Sequence, residues 1–162
     1  MHDFLLWLET AAVSTWVRES GSLWAYPAVL ALHTVGMSLL VGASAVLDLR
    51  LLGVAPQVPL APLVAVFRAV WTGAALSVVS GLLLFGADAS TKGATPVFLV
   101  KLIFIAAAIV VARRLRRTVY GQDAEAADIS FAAKALAVAS LLLWTGAITA
   151  GRFMAYLTPG PS

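Results

Sequence analysis

Apolar residues fill four long runs separated by short polar stretches: about residues 23–47, 64–86, 96–117 and 131–157. Each approaches or exceeds the ~20 residues that an α-helix needs to cross ~30 Å of hydrocarbon. Pro96 opens the third run at a position that suits the first turn of a helix. Ahead of them, residues 4–17 (FLLWLETAAVSTWV) alternate at helical spacing, with Phe4, Leu8, Ala11, Ala12 and Trp16 on one side and Glu9, Ser14 and Arg18 off it. That segment is too short and too polar to span, so it reads as an amphipathic helix in the interface, anchored by Trp7 and Trp16. Of the connections, residues 56–62 (PQVPLAP) are too proline-rich for a helix. Residues 86–95 (GADASTKGAT) and 121–130 (GQDAEAADIS) read as polar loops.

The expected fold is therefore all-α: a transmembrane four-helix bundle with a short N-terminal interfacial helix, one domain over residues 1–162. Composition agrees. Hydrophobic residues make up 61 % and charged ones 12 %, and mean hydropathy is +0.94. A soluble domain of 162 residues could not hide that much apolar surface. Asp3 and Glu9 with no basic leader mean that the N-terminus is expected to be retained. With no Cys, thiolate metal sites and iron–sulfur clusters are excluded. The second run carries Gly73, Ser77 and Gly81, and the fourth Gly146 and Ala150, small residues at helical spacing that let helices approach closely inside lipid.

The net charge of +3 does not indicate nucleic acid, because the basic residues cluster at the ends of apolar runs. Arg50 and Arg68 flank the first connection; Arg113, Arg114, Arg116, Arg117 and Lys134 flank the third. The second has only Lys92, beside Asp88. The positive-inside rule then places the first and third connections in the cytoplasm and both termini on the other side, the periplasm for a bacterial inner-membrane protein. Anionic lipid headgroups are the alternative partner of the RRLRR run.

Charges within spans are costly and mark function by default. His33 lies about 15 Å from the non-cytoplasmic end of its run, Lys101 and Arg152 about 8 Å from the same face, at 1.5 Å per residue. Three basic groups on three helices at a shared level, without an acid, suit a ligand that brings negative charge or accepts an electron pair. A haem does both, through its propionates and its iron; a quinone or an anion would also fit. Lys101 and Arg152 could instead snorkel to the headgroups, and His33 could be a neutral ring bonded within the bundle. His2 is a weak candidate for a second ligand. At the opposite face, Asp48, Arg50 and Arg68 are expected to form a structural ion pair clamping the first two spans.

The stretch ALHTVGMSLLVGASAVLDLRLLG (residues 31–53), the second span ending SGLLLFG, the third opening FLVKLIF and the fourth ending AITAGRFMAY resemble an uncharacterised bacterial family of four-span inner-membrane proteins. More distantly, "ALH" at His33 and "VKL" at Lys101 are similar to the HemJ-type protoporphyrinogen oxidases and the CopD-type copper-resistance membrane domains. The first likeness implies haem b, with an essential His in the first span and an essential Lys opening a later one. The aromatic and basic run and the further His residues of that pattern are absent here, and two His and three Met are few for copper. The leading expectation is a protein that binds haem b or another redox cofactor through His33, Lys101 and Arg152. A homodimer pairing two His33 would allow bis-His coordination of that haem. A non-catalytic subunit or assembly partner of a larger membrane complex comes next, and a small anion or metal carrier last. Whether the protein is an enzyme stays open at this stage.

Overall fold

The computed structural model describes residues 2–20, 24–63, 65–121 and 129–157. The glycines and prolines punctuate it much as their chemistry requires. Helix α3 (Tyr26–Leu51) starts with Pro27 in its first turn, where a missing N–H costs nothing. It ends in a turn in which Gly53 takes φ +99°, a conformation that penalises any side chain. Three further long helices follow: α5 (Val66–Gly86), α7 (Pro96–Gly121) and α8 (Phe131–Leu157). All four are long and apolar enough to cross a membrane. The protein is an all-helical, multi-pass integral membrane protein with four spans.

Several boundaries differ from expectation. The first span begins at Tyr26 rather than 23 and continues to Leu51, one turn past 47, which draws Asp48 inside the helix. The third runs on to Gly121. The N-terminal segment is not one helix but two, α1 (His2–Thr10) and α2 (Ala12–Glu19), broken where Ala11 turns extended at ψ 140°. No proline or glycine stands there; the break lets α2 bury Val17 and Ser14 against the end of α5. The proline-rich connector holds one helical turn, α4 (Leu60–Leu63), in which Pro62 falls too early to break a backbone bond. The loop at 86–95 contains another short helix, α6 (Ala89–Gly93). The acidic connection, except for Gly121, Ile129 and Ser130, lies outside the described residues.

The bundle is two helical hairpins, α3–α5 and α7–α8, joined along α3 and α8. Small residues set the first pairing. A Cβ on Gly73 would stand 2.5 Å from the Leu40 backbone nitrogen and 2.8 Å from the Gly36 carbonyl, and one on Gly36 would stand 2.8 Å from the Ser77 nitrogen. The second pairing rests on Gly146, where a Cβ would meet the Phe104 ring at 2.8 Å. Helices α5 and α7 have no such seam. They are bridged near their ends, by Phe85 stacked on Phe98 (4.9 Å between centroids) and by Arg113 over the Trp71 ring (5.7 Å). The interior holds Leu40, Leu47, Phe67, Val70, Ala74, Ala108, Trp144 and Ala147. Outward faces carry exposed Val46, Val79, Leu82, Ile103 and Leu142, the inverse of a soluble bundle and what lipid as solvent allows.

Glycine packing makes a prediction. Gly73→Ala is expected to force α3 and α5 apart and to destabilise the fold by about 1–3 kcal/mol. Gly42→Ala, which meets nothing within 4 Å, should be close to neutral. Detergent-titrated unfolding of the two variants side by side checks this, and equal stability would contradict it.

Candidate functional site

His33 sits two turns into α3 on the flank that faces α5. The glycine register puts it against Ser80 and Gly81: its Nδ1 is 3.0 Å from the Ser80 hydroxyl, and a Cβ on Gly81 would come within 3.1 Å of its Cε1. Ser80 is fully buried, and its one proton goes to the Leu76 carbonyl at 2.5 Å. The Ser80 oxygen can therefore only accept from the ring. The Ser77 carbonyl, the other group that interacts with His33, is likewise an acceptor. The Ser80 contact places the imidazole proton on Nδ1 and leaves the Nε2 lone pair free of that bond. Ring orientation fixed by a hydrogen bond at one nitrogen, with the other available, is the arrangement of a ligating histidine.

Lys101 enters the same region from α7. It is half-buried, and its stem runs along α8 at Gly151, with Cε and Nζ each 3.7 Å from where a Cβ would be. A side chain at 151 would touch the lysine stem at ordinary van der Waals distance. Its charge is felt by His33 on one side, and it feels Lys92 on the other. Acids near this end are engaged elsewhere: Asp88 pairs with Lys92 at 3.5 Å, and Glu9 accepts from Ser90 at 3.0 Å. Arg18 bonds Glu19 at 3.0 Å and reaches the Ala87 carbonyl at 3.5 Å, so α1, α2 and α6 form a polar cover over this end of the bundle.

Arg152 does not join the pair. It is exposed on the stripe of α8 that also carries Thr145, Ile148, Thr149 and Tyr156, facing away from the interior. His2 opens α1, and its side chain lies outside the described residues. His33 and Lys101 are thus partly buried, and Arg152 is exposed. The comparisons add nothing to this geometry: no family model, no curated protein and no solved structure matches the chain. The family likenesses rest on the quoted motifs alone.

At the basic end the structure does not bring together the expected Asp48–arginine clamp. Arg50 turns to the connector that follows it, donating from Nε to the Val58 carbonyl at 2.6 Å and from Nη2 to the Pro56 carbonyl at 2.8 Å. Arg68 is exposed on the first turn of α5. Asp48 is left 0 % exposed, with neither carboxyl oxygen hydrogen-bonded. The RRLRR cluster lines two open grooves, one with Trp71 and Arg113, Arg116 and Arg117, the other between α7 and α8 with Arg114, Arg117 and Thr118.

Reasoning from sequence missed Ser80 as the partner of His33. The signal was present: the small-residue stripe through Gly73, Ser77 and Gly81 marks the face of the second span that meets the first, and Ser80 lies beside it.

The hydrogen-bond chain His33–Ser80–Leu76 sets the imidazole tautomer. Nitrogen-15 spectra of histidine-labelled protein should show His33 protonated at Nδ1, and Ser80→Ala should weaken that preference. An Nε2–H ring in the parent protein would contradict the assignment.

Proposed function

We propose that this chain is a bacterial inner-membrane protein that holds haem b in the non-cytoplasmic half of its bundle, where His33 would be the residue that holds the iron. The observation that carries the reading is the hydrogen-bonded Nδ1 of His33, which leaves Nε2 to donate its electron pair. The donor set fits the group: a neutral imidazole for the iron, and Lys101 as counter-ion to a propionate. Bound there, haem b would supply one-electron redox chemistry. The chain's own part is to hold the ring through Ser80 against Gly81 and to supply Lys101 as a cation. Arg152, turned outward, could help only a propionate that emerges at the bundle surface.

Orientation follows from charge. With Arg50, Arg68 and the RRLRR cluster in the cytoplasm, both termini and the His33 end face the periplasm. Alkaline phosphatase fused after Ser162 should be active in a bacterial host, and an inactive, stably inserted fusion would reverse the topology.

Absorption spectra of gently solubilised protein, oxidised and dithionite-reduced, test the cofactor. A Soret band and a reduced α-band are expected. His33→Ala should abolish both, and Ser80→Ala should weaken haem retention roughly 10–100-fold, the usual effect of removing a ligand's hydrogen-bond partner. Absence of a Soret band in the parent protein, before and after adding haemin, overturns the proposal and leaves the role of a subunit in a larger membrane complex.

A further inference from the structure

Asp48 has a place in the bundle that neither packing nor the His33 site explains. One layer of apolar side chains lies on each side of it. Leu47 and Trp144 belong to the large cluster above. Leu51, Leu115 and Ala137 form a smaller one towards the basic end, backed by Leu52, Ile129 and Leu136. Ser140 of α8, 1 % exposed, is the polar side chain that faces it, at the margin of hydrogen-bond geometry. Ser44, one turn earlier on α3, has already given its proton to the Leu40 carbonyl at 2.8 Å.

Among the described residues, no charged side chain on the elements packed around Asp48 turns inward. Arg68 on α5, Arg113, Arg114, Arg116 and Arg117 on α7 and Lys134 on α8 are all exposed. Arg50, on its own helix, is committed to the connector carbonyls. A carboxylate so enclosed has no counter-ion and at most the Ser140 hydroxyl as donor, a cost that buried charges do not sustain. A proton removes the charge and provides an O–H that Ser140 can accept.

We propose that Asp48 is a proton-binding site within the bundle, reached from the basic end across the thin layer formed by Leu51, Leu115 and Ala137. It is independent of haem: it lies in the other half of the membrane and uses none of the residues around His33. The layer that separates it from the basic end is a single turn of small and medium side chains, and Asp48 itself lies one turn from the end of α3. A carboxyl at that depth can trade its proton with the aqueous side without any charged group crossing the bundle.

Infrared spectroscopy of the whole protein in lipid reads the site directly. Carboxyl-carbon-13 aspartate should reveal an acid C=O stretch that moves with the isotope. The band should shift when the sample is equilibrated in D2O, rise in frequency in Ser140→Ala as the carbonyl environment changes, and vanish in Asp48→Asn. Ser140→Ala keeps the acid, so the assignment survives even if the Asn variant does not fold. Finding only carboxylate bands for aspartate overturns the proposal. So does an acid band that never exchanges its proton, which would make Asp48 a locked structural acid. Loss of the band on adding sodium would replace the proton with a metal cation.

Discussion

The close approach of α3 to α5 at Gly36 and Gly73 is the constraint on which the remaining geometry depends. Inside lipid no water is released when two helices meet, so their contact must come from backbones near enough for dense packing. A glycine at each crossing point permits that, and in doing so it sets the register between the two helices. Once Gly73 lies on Leu40, His33 must fall opposite Ser80 and Gly81. The position of the imidazole, and the bond that orients it, follow from a packing requirement several turns away.

Two polar side chains on α3 then meet opposite fates. His33 finds an acceptor on α5 whose own proton is already spent, which makes the ring's protonation pattern a consequence of the helix backbone at Leu76. Asp48 lies on the flank towards α8, where the neighbours are Ser140 and apolar side chains. The arginine two residues along stands on the opposite side of the helix. It closes the irregular connector by donating to the Pro56 and Val58 carbonyls.

The two ends of the bundle are built differently. At the His33 end, α1, α2 and α6 lay a polar cover across the helix ends, in which Glu9 accepts from Ser90 and Asp88 pairs with Lys92. At the other end arginines stand on the outside, with Arg113 resting on Trp71 between two helices that otherwise scarcely meet.

The four spans, the membrane setting and the small-residue stripes were legible in the residues alone, because hydropathy and helical period are local properties and lipid enforces them on each segment independently. Candidate residues could be named for the same reason: a His, a Lys or an Asp inside an apolar run is conspicuous wherever the run folds. Their partners could not be named, since which side of a helix faces which neighbour depends on register, and register is decided by contacts between segments far apart in the chain. So Ser80 came to partner His33 while Arg152 turned outward, and Asp48 came to face Ser140 rather than an arginine. The short helices α4 and α6, and the break at Ala11, were hidden in the same way: their residues are indifferent to structure, and the surfaces they dock on decide it. Sequence determined that this protein lives in a bilayer and which side chains are costly there; only the tertiary structure decided which of those costs are met by a neighbour, because that depends on distances between helices rather than on any one of them.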